Sequence, residues 1–262
     1  MIDRVAMQER NLDRLVRNDG FQFTDTFFPY TSGQIGPYYV QSAVVTANGE
    51  DYAGAVDDLD RLVKSYVSDD LSRFVVAGGE SRDWVFSFPF AKDNKLPHFG
   101  IYKNGKVHWK GVGHRDVLLV SDLNNEGSSP ENYWVPAIKG EGGFVNHAFF
   151  YVDRLEDGVG VLEKLQLKND AVVPLNGSAW DYLRSRDIVN GMVYNNLRDR
   201  MEDKGVWAEK MLRSDEGFNE FFRLASNSKT FEKAQKVLFN GYPDLIAELA
   251  DRLRERGVEI LE

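Results

Sequence analysis

Val117–Ser129 reads Val-Leu-Leu-Val-Ser-Asp-Leu-Asn-Asn-Glu-Gly-Ser-Ser. An apolar strand of this kind delivers Asp122 to its end, and the loop of small and polar residues that follows opens a helix. Such a loop presents backbone N–H groups and hydroxyls to a phosphate, and the helix N-terminus adds partial positive charge. Asp122 stands where a carboxylate accepts hydrogen bonds from sugar hydroxyls. The same residues also suit an ordinary strand-to-helix turn capped by Asp and Ser. Elsewhere, Arg82, Lys103, Lys106 and Arg154 are cations that could meet an anion, and His108 could donate a proton or a hydrogen bond. Each has a plainer reading. Lys103 and Lys106 suit a solvated turn, and His108 beside Trp109 suits a hairpin surface. Arg82 suits an exposed first turn, and Arg154 suits a salt bridge to Glu156 or Asp157. Tyr38 and Tyr39 could line a pocket, although strand alternation lets only one of them face it.

Three apolar runs must carry these residues: Phe74–Ala77 ending at Gly78-Gly79, Val117–Val120 ending at Ser121-Asp122, and His147–Val152 ending at Asp153-Arg154. Runs of this type are buried parallel strands. Strand, loop and helix in repetition predict an α/β fold, with ligands beyond the carboxyl ends of the strands. Ile2, Val5, Leu12, Leu15 and Val16 predict a first helix ending near Asn18-Asp19-Gly20, and Ala53 to Val63 predict a second between Asn48 and Tyr66. Asn104-Gly105 between alternating residues predicts a tight hairpin inside Phe99–Trp109. Helices are expected over Arg184–Asp203, Glu216–Ala225, Thr230–Phe239 and Asp244–Arg256, punctuated by Gly205, Gly217 and Gly241-Tyr242-Pro243.

Composition narrows the chemistry. The chain has 262 residues, long enough for a sizeable core. It contains no cysteine, which removes disulfides, thiolate metal sites and a Cys nucleophile. Its 4 histidines (98, 108, 114 and 147) are too scattered for a metal cluster, and His147 suits the core. The net charge of −9 disfavours non-specific nucleic-acid binding. No run approaches the roughly 20 apolar residues of a membrane span. The expectation is a soluble, cytoplasmic protein that binds neither nucleic acid nor membrane.

The Val117–Ser129 segment resembles the phosphoribosyl pyrophosphate (PRPP) signature of type I phosphoribosyltransferases. Other segments, in order, resemble the orotate phosphoribosyltransferases. Thr31-Ser32-Gly33-Gln-Ile-Gly-Pro37-Tyr38-Tyr39 is similar to that family's motif near the base pocket, and Val76-Ala77-Gly78-Gly79-Glu80-Ser81 to its pyrophosphate loop. Leu96-Pro97 follows at the family's spacing. Lys103, Lys106 and His108 keep the Lys-x-x-Lys-x-His spacing of its catalytic loop. Asp153-Arg154-Leu-Glu156 is similar to the stretch whose Arg reads the orotate carboxylate.

The resemblance implies a mainly parallel sheet flanked by helices, with a small N-terminal hood over the base site. It covers residues 1–180 and leaves 181–262 as a helical C-terminal region. It implies catalytic roles for Asp122, Lys103, Lys106 and His108. PRPP would bind at Ser81, Arg82, Ser121, Asp122, Asn125, Glu126, Gly127, Ser128 and Ser129. Orotate would bind at Tyr38, Tyr39, Asn125 and Arg154. Mg²⁺ would accompany PRPP, with Asp122 as its one candidate protein ligand, and the assembly would be a homodimer.

The chain departs from the pattern in three places. Ser121 stands where the signature has the first of two acids. Asn124-Asn125 replace paired threonines, and Ser128 replaces a frequent glycine. The span from Leu96-Pro97 to Val117 is short, with Tyr102 in place of an arginine, so a tight hairpin would put Lys106 and His108 on a strand. Three functions remain open: an orotate phosphoribosyltransferase, a nucleotide- or PRPP-binding protein of the same fold with little or no transfer activity, and a transferase for another base.

Overall fold

A computed structural model describes residues 2–67 and 70–260. In chain order, helix α1 (Arg4–Arg17) precedes strands β1 (Phe21–Pro29) and β2 (Ile35–Val40). Helix α2 (Gly49–Tyr66), strand β3 (Phe74–Gly79), helix α3 (Trp84–Asp93) and strand β4 (His98–Ile101) follow. Next come β5 (Asp116–Asn124), α4 (Val135–Gly140), β6 (Phe144–Asp153), α5 (Asp157–Lys164) and β7 (Lys168–Pro174). The chain then turns helical: α6 (Gly177–Ser185), α7 (Gly191–Glu202), α8 (Lys204–Arg213), α9 (Asp215–Ala225), α10 (Phe231–Gln235) and α11 (Ile246–Glu255). No helix among the described residues is long and apolar enough to cross a membrane.

Two compact units emerge. One holds the chain up to Gly20 together with Gln41–Ala179; the other holds Phe21–Val40 and the chain from Trp180 onward. The strand pair 21–40 groups with the C-terminal helices.

The first unit is built on a five-stranded sheet in the order β4-β3-β5-β6-β7. Every neighbouring pair is parallel. The three apolar runs read from the sequence are β3, β5 and β6, and all six residues of β3 are buried. Alternation sends Val117, Leu119 and Phe150 to one face, where Trp134, Val135, Ile138 and Leu162 cover them. The register slips by one residue after Val117/Val145, so Val145 and Ala148 both join that face. On the other face, Tyr151 stacks on Phe86 of α3, and its hydroxyl bonds Asn11 of α1 at 3.2 Å.

Local signals explain the helices. Asp3 caps α1 by accepting from the Ala6 amide at 3.0 Å, and Asn48 caps α2 by accepting from the Glu50 and Asp51 amides. Buried Asp58 of α2 ties the two helices together by accepting from Arg10, from Asn11 at 2.8 Å and from Arg14 at 2.7 Å. Burial pushes the Asp58 carboxyl up, and these bonds more than reverse that, leaving it below its ordinary range.

In the second unit, β1 and β2 pair antiparallel with a bulge between Phe23 and Phe28. Their turn at Gly33 (φ +95°) lies against the backbone of Lys236 and Gly241, where neither glycine has room for a Cβ. The Ile35 amide donates to the Tyr242 hydroxyl at 3.2 Å, and Phe27 and Ile35 enter the core formed by Trp207, Phe218 and Phe221.

Three elements differ from the sequence reading. The helix expected over Arg184–Asp203 is interrupted where Asp187 takes φ +54°, and Asn190 caps a new helix, α7. Helix α8 starts at Lys204, because Asp203 caps it through the amides of Gly205 and Val206. Strand β7 was not expected: its first residues, Lys168-Asn169-Asp170, are polar and partly exposed, which hides Ala171-Val172-Val173 behind them.

Candidate functional site

From β3 the chain crosses to β4 on one side and then to β5 on the other. The winding reverses between β3 and β5, and in open α/β sheets the crevice at such a reversal is where ligands bind. A cavity of about 460 Å³ opens there. Glu80, Ser81, Arg82 and Asp83 line it from the loop after β3, and Asp122 with 124–129 line it from the end of β5 and its loop.

Both loops depend on close backbone packing. The indole N–H of Trp84 donates to Gly78 O at 2.8 Å. A Cβ on Gly79 would strike Trp134 Nε1 and Asp83 Oδ2. Gly127 (φ +72°) ends the second loop in a left-handed conformation, and a side chain there would strike Val161 of α5. A helical run over 128–140 follows, a π turn at Pro130–Trp134 continuing into α4. Its first turn, at Ser128 and Ser129, faces the cavity. Free amides of a first turn suit an anion.

Asp122 is 5% exposed, and its Oδ2 accepts from the Ser42 hydroxyl at 2.7 Å. Arg82 Nε lies 4.0 Å from the same oxygen, with its side chain 63% exposed. Buried Ser121 does not line the cavity; its hydroxyl donates to Asp83 Oδ1 at 2.5 Å. The Asp122 amide donates to the same Oδ1 at 3.2 Å. Burial, and then the neighbouring Asp122 carboxylate, hold Asp83 well above the usual carboxylate range.

The tight turn expected at Asn104-Gly105 is present: Tyr102 N–H donates to Lys106 O at 2.8 Å, and Ile101 bridges Val107 antiparallel. It brings one of the three expected residues of the catalytic loop to the cavity. Lys103 lines it, with its amide donating to Glu80 Oε2 at 3.0 Å. Lys106 and His108 are not on its wall. His108 packs over Gly100, its ring 5.0 Å from both Trp84 and Tyr102.

The residues expected at the base divide as well. Asn125 lines the cavity. Arg154 is buried and off its wall, with its guanidinium 2.9 Å from Glu156 Oε1. In the second unit, Tyr38 is 3% exposed with its ring 5.1 Å from Trp180, whereas Tyr39 is 38% exposed.

Asp83, Ser42 and Trp134 were missed in the sequence. Asp83 and Trp134 follow motifs that had been singled out, but nothing local to them shows that they meet at Gly79. Among the described residues no group of three or more His, Asp or Glu could hold a metal. Mg²⁺ needs less, since it takes one or two carboxylates beside the phosphate oxygens of its ligand. Asp122 fits a magnesium ion that arrives with a polyphosphate.

A parallel sheet flanked by helices, with a cavity where the end of β5 and the loop after β3 meet, is the fold of the type I phosphoribosyltransferases. Over 159 residues the chain is 31% identical to a curated orotate phosphoribosyltransferase of Staphylothermus marinus, a match spanning 58% of this chain and 72% of the relative. The chain belongs to the orotate phosphoribosyltransferase family. No family model matches it. Among solved structures, the fold is similar to an orotate phosphoribosyltransferase from Aeropyrum pernix, with TM-score 0.56 and 18% identity over 68% of this chain and 99% of that one. It is also similar to the UMP synthase of Leishmania donovani, with TM-score 0.64 and 15% identity over 73% of this chain. The chain spans 41% of that longer protein.

Proposed function

We propose that the chain transfers the phosphoribosyl group of PRPP to orotate, giving orotidine 5'-monophosphate and pyrophosphate. One observation carries the reading: the loops after β3 and β5 close a single cavity with Asp122 in its wall. Membership of the family supports orotate as the base.

The reaction builds positive charge on the sugar C1 and negative charge on the departing pyrophosphate, so it needs cations and N–H groups fixed at the leaving group. Arg82 and Lys103 supply the cations, and the loop at 80–81 supplies backbone. Asp122 accepts from the ribose hydroxyls, and the loop at 125–129 holds the 5'-phosphate against the helix start. Mg²⁺, when bound with PRPP, neutralises pyrophosphate charge. In this reading Asn125 contacts the base. Arg154 is engaged with Glu156, so a carboxylate ligand would have to compete for that pair. Lys106 and His108 act, if at all, after the turn at 102–106 moves. A homodimer and a cytoplasmic location belong to the same proposal; the latter is supported by a chain without cysteine.

A second reading, PRPP or nucleotide binding without transfer, is favoured by Ser121 in place of an acid and by the position of His108 away from the cavity. Purified protein with Mg²⁺, PRPP and orotate separates the two. Transfer consumes orotate and lowers its ultraviolet absorbance. Binding alone leaves the absorbance unchanged while PRPP raises the unfolding temperature.

A further inference from the structure

Residue 121, one position before Asp122 in β5, is a buried serine. Its hydroxyl reaches across to the end of β3 and donates to Asp83 Oδ1 at 2.5 Å. The same oxygen accepts the Asp122 amide at 3.2 Å. Asp83 lines the cavity next to Asp122, is 6% exposed, and is in side-chain contact with the Asp122 carboxyl. The opposite flank of Asp122 is held by the Ser42 hydroxyl at 2.7 Å. Asp122 therefore cannot turn without breaking a bond to Asp83 or to Ser42. Gly79 leaves the room that Asp83 fills, because a Cβ there would overlap Asp83 Oδ2.

We propose that Asp83 is the positioning residue of the ribose site: from the end of β3 it fixes the backbone at 121–122 and the Asp122 carboxyl, the task for which an acid at 121 would otherwise serve. The assignment rests on the proposed use of Asp122 toward the ribose hydroxyls of PRPP. It extends the site to a residue 38 positions away in the chain. A buried acceptor shared by two donors is costly to remove, since Ser121 and Asp122 are themselves buried and lose their partner.

The test is calorimetric binding of PRPP in Mg²⁺ buffer, so it is independent of whether orotate turns over. Asp83→Ala should weaken PRPP about 10- to 100-fold. Asp83→Asn retains an oxygen for both donors and should stay within about 3-fold of wild type. The exchange Asp83→Ser with Ser121→Asp returns an acid to the pair from the other strand; it should recover most of the affinity lost in Asp83→Ser alone. Where an Asp83 variant does not fold, Ser121→Ala reads the same contact and should weaken PRPP about 3- to 10-fold in the protein that remains folded. Asp83→Ala or Ser121→Ala binding PRPP as wild type does, or an exchange variant no better than Asp83→Ser, would overturn the proposal. Wild type that binds PRPP but converts no orotate would refute the transferase reading and leave this comparison intact. Wild type that binds no PRPP would overturn both.

Discussion

The hydroxyl of Ser121, in β5, and the carboxyl of Asp83, in the loop after β3, meet at 2.5 Å beside the cavity. The contact ties the loop after β3 to the end of β5. The loops are held by each other and by the glycines beneath them.

Gly79→Ala tests that packing. The added methyl meets Trp134 Nε1 and Asp83 Oδ2, so both loops must shift. Overpacking of this kind costs about 1–3 kcal/mol. Denaturant unfolding should show that loss, with weaker PRPP binding in the protein that remains folded. Wild-type stability and affinity would mean that the loops are looser than described.

The two lysines of the turn should separate cleanly. Lys103 lines the cavity and Lys106 does not. Loss of a cation facing the leaving group typically costs about 10²-fold in rate, so Lys103→Ala should lower kcat by about 10- to 100-fold. Lys106→Ala should stay within about 3-fold, as exposed sites away from the chemistry usually do. Equal losses would mean that the turn rearranges during the reaction and that Lys106 reaches the substrate.

His98 sets a pH dependence of stability. Its Nε2 lies 2.8 Å from Ser87 Oγ, its ring stacks on Phe88, and its Nδ1 is buried without a partner. Burial, and then His108, lower it from 6.5 to about 4. The unfolded chain therefore binds this proton at a higher pH than the folded chain does. The contribution is complete above about pH 6.5 and is lost as pH falls toward 4. Unfolding free energy should drop by about 2 kcal/mol more in wild type than in His98→Gln between those limits. Parallel pH curves would contradict the assignment.

Asp58 should be a keystone of the first unit. It is buried and accepts from Arg10, Asn11 and Arg14. Asp58→Ala strands these donors, and breaking a buried ionic cluster costs about 3–5 kcal/mol. Urea unfolding at neutral pH should show most of that loss. A loss below about 1 kcal/mol would class the cluster with surface pairs.

Much of this was legible in the sequence where the signal is local. Phe74–Ala77, Val117–Val120 and Ala148–Val152 are buried on both sides, so their apolar runs betray the parallel sheet. Asn48 and Asn104-Gly105 act through neighbouring backbone, so cap and turn follow from residue type. What could not be read is non-local. Strand pair 21–40 joins the C-terminal helices through Tyr242 and Gly241, some 200 residues later. Asp83 looks like a first-turn acid until the sheet register brings β3 beside β5. Lys103, Lys106 and His108 share a spacing, yet the turn sends only Lys103 to the cavity.

On the proposed function, this cavity transfers a phosphoribosyl group to orotate through a site that needs Asp122. The most direct measurement is orotidine 5'-monophosphate, quantified by mass spectrometry after incubation with PRPP, Mg²⁺ and orotate, for wild type and Asp122→Asn side by side. Wild type should give product and pyrophosphate in equal amounts, and the variant at least about 10-fold less, the loss of one charge-assisted contact to the ribose. No product from folded, PRPP-binding wild type, or equal product from both proteins, would contradict the proposal.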